Sequence, residues 1–508
     1  MKSLIYENRS FLKSARIESD GENLVFTRRN ISGENRVKIN IAQIRKISAQ
    51  KNMLSYSLKI DRENEKSVLF GGLDQTAVEE LKKHLGSLVE IKAAIKQQVV
   101  TLEQARKEAS RVLDSLSKDF DARPVISYLI NQGVQLDSSD IHITPRKEYA
   151  VIQYRIDGLL REVARMNSDF YARLMTAIKN RAKLPSYKKS TPQDGSFHFD
   201  EDNHDMDIRC ATIPTLFGEK VVLRILNTDK NPLFLEDLGI SENVLKSYRE
   251  LISEPQGCVI LTGPAGSGKT TTIFASLIHI YNNYEGTVNI ATIEDPVEYS
   301  IEEFQQTQIN PIMGLTFAAG LKSLLRLDPD IMMVGEIRDP ETAQTAIRTA
   351  LTGHLIFTTL HARDSLGVFP RIIEMGIKPG MASSSVTAVL YQRLVRKLCP
   401  ECRVESSPPP ELLKSLSQYG KSIDKYYTSL GCPACSGTRY SGRTGVFELL
   451  NVDENIRGMI MEGKPYGDLF DYCREKGMNF LWEDALEKVR SGITDFDEIV
   501  RVCPQYSY

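Results

Sequence analysis

Apolar residues at every second position open the chain. The pairs and triplets Leu24/Phe26, Val37/Ile39/Ile41, Tyr56/Leu58/Ile60 and Val68/Phe70 have the period of half-buried strands. Asp20-Gly21 and Ser32-Gly33 supply turns between them. Near Asp74 the period lengthens. Ala77, Leu81 and Leu85 fall on one helix face, with Asp74 as the N-cap. Residues 99–121 are charged and read as a helical connector with a solvated face. Pro124 to Gly133 reads as a helix, followed by the strand-like stretches Ser139–Ile143 and Val151–Ile156, and by the turn Asp157-Gly158. A helix spans roughly 168–183, and a strand pair surrounds Gln193-Asp-Gly195, Asp207-Ile-Arg209 and Val221–Ile225. Three strands with two helices predict an α+β sandwich. Residues 227–240 read as a linker.

Beyond the linker the pattern changes to short, fully apolar runs separated by helical stretches. Cys258–Thr262, Thr287–Ile293, Ile331–Val334 and Leu355–Leu360 are the runs; Thr271 to Tyr281 is the first helix. Buried strands of an open α/β sheet have this signature. From Gly445 the chain reads as helical, with Arg457–Met461 and Phe480–Ser491 periodic and a final capped helix from Asp495. No internal repeat is found. The divisions are 1–98, 99–122, 123–228, 229–396, 397–446 and 447–508.

Composition changes this picture only locally. The 508 residues are 41% hydrophobic and 26% charged, with a net charge of −2. Residues 1–98 carry 18 Lys and Arg against 12 Asp and Glu, or +6, leaving −8 for the remainder. A basic module could face an anionic membrane or an acidic partner; a solvated basic surface is the plainer reading. No run of about 18 apolar residues predicts a transmembrane helix. The first 20 residues lack the apolar core of a signal peptide. The expected location is therefore cytoplasmic. No basic, aromatic-rich stripe predicts direct nucleic-acid contact.

The chemistry starts at Gly263-Pro264-Ala265-Gly266-Ser267-Gly268-Lys269-Thr270, which fits G-x-x-x-x-G-K-[ST] in full. A strand precedes it and a helix, opening at Thr271, comes after it. Backbone N–H groups of such a loop cradle phosphate oxygens, aided by the helix dipole. Lys269 reaches the β/γ-phosphates and the Thr270 hydroxyl takes Mg²⁺. Glu294, Asp295 and Glu298 cluster at the end of the next strand, the edge where open α/β sheets bind ligands. Glu336, just past Ile331–Val334, is placed to polarise water or hold Mg²⁺, with Arg338 and Asp339 beside it. His354 and His361 bracket the fourth strand and could sense the γ-phosphate; a structural role is the alternative. Arg209 and Arg224 lie in apolar strand contexts and offer donor forks suited to phosphate, or to surface salt bridges. Cys399-Pro-Glu-Cys402 and Cys432-Pro-Ala-Cys435 have the pattern of a closed, structural Cys₄ zinc site. Cys210, Cys258, Cys473 and Cys503 read as ordinary buried residues.

The chain carries two resemblances. In element order, residues 1–98 resemble a pleckstrin-homology-like barrel and are read as an interaction module. More specifically, residues 120–505 resemble the type II secretion and type IV pilus assembly ATPase family. Gly263–Thr272, Thr292–Tyr299, Leu325–Asp339, Ala350–His361 and Gly431–Val446 match its phosphate loop, aspartate box, second phosphate motif, histidine box and metal-region motif. Ser139–Ile143, Arg155–Gly158, Gln193–Gly195 and Gly218–Arg224 match its preceding domain. Residues 1–98 do not look like its usual N-terminal helical domain. The resemblance implies a P-loop, RecA-like ATPase core and a homohexameric motor, with nucleotide bound between two domains. Arg209 and Arg224 then reach the nucleotide, Arg326 and Arg338 act as motor-domain arginines, and Glu336 or Glu298 orients the attacking water. ATP, Mg²⁺ and Zn²⁺ are the implied cofactors. The implied partner is an inner-membrane platform protein, with the motor peripheral at that membrane. The zinc-bearing segment suits assembly motors; the related retraction motors generally lack it. A nucleotide-gated scaffold with little turnover and a pilus motor serving DNA uptake are the competing readings.

Overall fold

The computed structural model describes residues 3–10, 13–19, 23–30, 33–40, 44–51, 56–62, 65–73, 78, 79, 82, 85, 101–116, 121–201, 204–226 and 234–503. Asp20, Gly21, Ser32, Ile41, Asp74, Ala77, Leu81 and residues 227–233 lie outside them. The chain divides into two compact units, Met1–Asn227 and Thr228–Tyr508.

The first unit begins with two antiparallel meanders. β1 (Ser3–Ser10), β2 (Lys13–Ser19), β3 (Asn23–Asn30) and β4 (Gly33–Asn40) form one; β5 (Ile44–Lys51), β6 (Tyr56–Arg62) and β7 (Glu65–Leu73) form the other. Leu58 and Ile60 are fully buried, as the alternation requires. Helical residues 78, 79, 82 and 85 come next, with Val78 and Leu85 buried.

Helix α1 (Leu102–Ser115) forms where the helical connector was expected, but one of its faces is buried. Thr101 caps it in a reciprocal box with Gln104, and Leu102, Ala105, Ala109, Val112 and Leu113 are buried. Its small residues every three or four positions let it join the next core. After α2 (Ala122–Gln135), one antiparallel sheet carries six strands, twice the number expected. They are β8 (Asp140–Pro145), β9 (Tyr149–Ile156), β10 (Leu159–Asn167), β11 (Gln193–Glu201), β12 (His204–Thr215) and β13 (Gly218–Leu226), in the order β10-β9-β8-β13-β12-β11. Helix α3 (Ser168–Arg181) interrupts them. β11 and β12 fall where the strand pair was expected and alternate because their outer face is solvated, whereas β10 was not expected. Buried polar bonds fix the helices on the inner face. Tyr154 donates to the Leu129 carbonyl and Gln132 Oε1, and Gln132 donates to Tyr128 and to the Ala105 carbonyl. A buried Lys179–Glu219 ion pair joins α3 to β13.

The second unit opens with a short 3₁₀ turn (Leu235–Leu238) and α4 (Glu242–Ile252). Then come β14 (Gly257–Thr262), α5 (Lys269–Asn283), β15 (Ile290–Glu294), β16 (Gln305–Gln308), α6 (Phe317–Leu324), β17 (Ile331–Val334), α7 (Pro340–Leu351) and β18 (Leu355–Leu360). Two short helices lead to β19 (Val386–Leu398). The hairpin strands β20 (Arg403–Ser406) and β21 (Tyr426–Ser429) precede β22 (Tyr440–Asn451), and four helices from Glu454 to Val502 end the described chain. The sheet order is β16-β15-β17-β18-β14-β19-β22, parallel except for β22. Every residue of β14, β15, β17 and β18 is buried, since helices cover both faces.

The expectation of helix from Gly445 is corrected here. β22 continues to Asn451, and helix begins at Glu454. Val446, Phe447 and Leu450 join three different hydrophobic clusters, so this strand is covered on both faces and shows no alternation.

Gly195 on β11 tests the packing of the first unit. A Cβ there would stand 2.7 Å from the Ala182 carbonyl oxygen and 2.9 Å from Leu184 Cδ2. Gly195→Ala is expected to destabilise the six-stranded sheet by about 1–3 kcal/mol. Hydrogen exchange of its amides in the full chain, with and without urea, reads this directly; unchanged protection contradicts it.

Candidate nucleotide-binding site and cysteine centre

Parallel strands place the motifs. The carboxyl ends of β14, β15, β17 and β18 share one sheet edge, so the loops leaving them meet there. The phosphate loop leaves β14 and enters α5 through Gly268, in the left-handed region at φ 88°. Gly263, at φ 143°, also needs glycine: a Cβ would collide with the Gln392 carbonyl oxygen. Lys269 Nζ donates to the carbonyls of Gly263 and Pro264, both at 3.0 Å. Burial lowers the Lys269 pKa, while Glu336 and Glu298 oppose that shift. Both carboxylates therefore act on the lysine electrostatically. Pro264, Ala265 and Gly266 are exposed, whereas Ser267 is buried with no partner for Oγ among the described residues. Thr270 opens the helix beside Thr271, whose hydroxyl lies 2.8 Å from that of Tyr299.

The aspartate-box segment lies next along this edge. Glu294 is buried and accepts from Thr292 Oγ1 at 2.6 Å and Gln306 Nε2 at 3.0 Å. Burial pushes its carboxyl above the usual range, and Oε2 has no partner among the described residues. Asp295 and Glu298 are exposed. Arg338 pairs with Glu336 and lies 4.0 Å from Asp295, so it spans the segments after β15 and β17. His361 Nδ1 is 3.2 Å from the Gly263 carbonyl oxygen. These hard oxygen donors beside a helix N-terminus fit Mg²⁺ and a triphosphate.

Two expected residues stand elsewhere. His354 precedes β18 and therefore lies at the amino edge of the sheet, where its carbonyl accepts from Gly257 N. Six strand residues separate it from His361, roughly 20 Å. Arg326 lies just past the end of α6 and holds the Lys322 carbonyl and Ser323 Oγ. The sheet brings neither residue to the phosphate loop.

In the first unit, Arg209 and Arg224 are direct cross-strand partners on the solvated face. The same row continues through Asp140 on β8 to Arg155 on β9. Arg224 Nε is 2.9 Å from Asp140 Oδ1, and Arg155 Nε is 3.5 Å from Oδ2. Arg155 was not singled out from the sequence, because only register shows that it shares this row.

The antiparallel hairpin of β20 and β21 brings the two cysteine pairs together. All four Sγ atoms of Cys399, Cys402, Cys432 and Cys435 lie within 4.8 Å of one another. The closest separations are 3.9, 3.9 and 3.8 Å, far longer than a disulfide. Tetrahedral thiolates at the usual Zn–S distance stand about 3.8 Å apart. The cluster therefore fits a zinc ion with no open position. Cys210, Cys258, Cys473 and Cys503 are free and buried, as expected.

The profile of the type II/IV secretion system protein family matches residues 117–501. The chain belongs to this family. It is 41% identical over 406 residues to the type II secretion system protein HxcR of Pseudomonas aeruginosa, covering 79% of this chain and 82% of the relative. It is 41% identical over 405 residues to the type IV pilus assembly ATPase PilB of Thermus thermophilus, covering 79% of this chain but only 45% of PilB. In fold it is similar to the Legionella pneumophila ATPase DotB. There the TM-score is 0.56 at 21% identity, over 74% of this chain and 94% of DotB. As a member of this secretion ATPase family, the chain is an ATPase. No helix among the described residues is long and apolar enough to cross a membrane.

Proposed function

We propose that the chain is a cytoplasmic motor. On this reading it works as a homohexamer, peripheral at the inner membrane, and drives assembly of a pilus or secretion pseudopilus through a membrane platform protein. One observation carries the reading: the phosphate loop, the aspartate-box carboxylates and Glu336 share a single sheet edge. Relatives named for type II secretion and for pilus assembly support both export routes. Residues 1–98 are the recruitment module, pleckstrin-homology-like in element order.

Charge and position assign the roles. Loop N–H groups and Lys269 bind the β- and γ-phosphates, and Thr270 with the nearby carboxylates holds Mg²⁺. Glu336 orients the attacking water and accepts its proton, with Glu298 as the second carboxylate. Water adds to the γ-phosphorus, the bond to the β–γ bridging oxygen breaks, and ADP and phosphate leave. Arg338 keeps Glu336 neutralised until phosphate charge competes for the guanidinium. Arg209 and Arg224 offer their row to phosphate oxygens. The four cysteines hold zinc structurally and take no part in hydrolysis.

Steady-state hydrolysis tests the enzymatic half. Lys269→Ala should lower turnover at least about 100-fold, as loss of a charge-stabilising group at the reacting phosphate does; an unchanged rate contradicts the assignment. Elemental analysis of chelator-free, reduced protein should find one zinc per chain, and Cys402→Ser should remove it and lower the unfolding midpoint. Metal-free wild-type protein contradicts the zinc assignment.

A further inference from the structure

One buried side chain on β19 has no role in the reading above. Gln392 is 1% exposed and lies 125 residues from the loop it touches. The register pairs Tyr391 with Thr262, so Gln392 stands just past the end of β14. Its Nε2 donates to the Ser267 carbonyl at 2.7 Å. Its own carbonyl oxygen packs where a Gly263 Cβ would be, and Nε2 is 3.2 Å from where a Gly268 Cβ would be. Gln392 thus lies against both ends of the phosphate loop.

The chemistry of that contact is specific. The Ser267 carbonyl and the Gly268 N–H belong to one planar trans peptide, so they point in opposite directions. Holding the carbonyl back fixes the N–H on the far side. Three other loop carbonyls are held separately: Gly263 and Pro264 accept from Lys269, Pro264 also accepts from Ser267 N at 3.3 Å, and Gly268 accepts from Thr272 N at 3.0 Å. Stability alone gives little reason for an amide here. Gln392 Oε1 is buried with no partner among the described residues, so an apolar side chain of the same shape would only exchange that unpaired atom for an unpaired Ser267 carbonyl.

We infer that Gln392 is a positioning residue for ATP binding: its amide orients the Ser267–Gly268 peptide so that the Gly268 N–H faces bound phosphate. This rests on the assignment of Gly263–Thr270 as the ATP site.

Two near-isosteric variants of the full chain test it, with titration of a fluorescent ATP analogue, steady-state kinetics and thermal melting. Gln392→Met should melt near the wild-type midpoint, since it removes one unpaired atom and creates another, yet bind the analogue about fivefold to tenfold more weakly, the loss of one hydrogen bond. Gln392→Glu sets a carboxylate against the Ser267 carbonyl. Burial raises the pKa of such a carboxyl, so lowering the pH restores an O–H donor. Its affinity, relative to wild type at each pH, should therefore recover as pH falls from about 8 to about 6. Wild-type affinity in Gln392→Met, or a pH-independent ratio for Gln392→Glu, overturns the inference. If Gln392→Met does not fold, the Gln392→Glu profile decides alone. Lys269→Ala separates the two levels: if it hydrolyses ATP as fast as wild type, the ATP site itself is wrong. If it is inactive while both Gln392 variants bind normally, only the positioning role fails.

Discussion

Phosphate is bound by backbone N–H groups, and a folded chain seldom leaves such donors unused in its interior. The second unit meets this constraint with a turn that is neither strand nor helix. Gly263 and Gly268 take backbone angles closed to other residues, and carbonyls along the loop face a lysine, a glutamine and the first helical turn. The N–H groups of Ala265, Gly268 and Lys269, on the other side of the Pro264, Ser267 and Gly268 carbonyls, are left for a ligand, while the Gly263 peptide ends in Pro264 and carries no donor. The parallel sheet makes this arrangement rigid. β14 is paired on both sides, to β18 and β19, and all its residues are buried. The loop is therefore anchored on a buried strand paired on both sides.

The same sheet assembles the rest of the site. Strands that run in one direction deliver their exit loops to one edge, so residues up to about a hundred apart in sequence meet without any long-range pairing of their own. His361 reaches the Gly263 carbonyl in this way, and Arg338 links the segments behind β15 and β17. Charge balances locally. Lysine loses favour through burial and regains it from Glu336 and Glu298. The cysteine centre uses different physics: a two-stranded antiparallel pair brings two CxxC turns together at thiolate–metal spacing.

Local chemistry was legible in the sequence; pairing was not. Eight consecutive residues spell the phosphate loop, and each carboxylate comes just after an apolar run, so the carboxyl edge could be read without a structure. His354 was misplaced because residues that bracket a strand necessarily stand at opposite edges of its sheet. β22 was missed because a strand covered on both faces has no alternation, and β10 because the bulge between Glu162 and Ala164 breaks its alternation. Arg155 enters only within the Arg155–Gly158 match, with no role of its own, and Gln392 carries no motif. Their positions are set by register with Asp140 and Thr262, and register depends on the whole sheet.

The central claim is that Glu336 handles water at a phosphate site built by the loop. Single-turnover hydrolysis and ATP affinity of Glu336→Gln measure it most directly. ATP binding should stay within about threefold of wild type while the chemical step slows at least about 100-fold. A variant that cleaves ATP at the wild-type rate contradicts it.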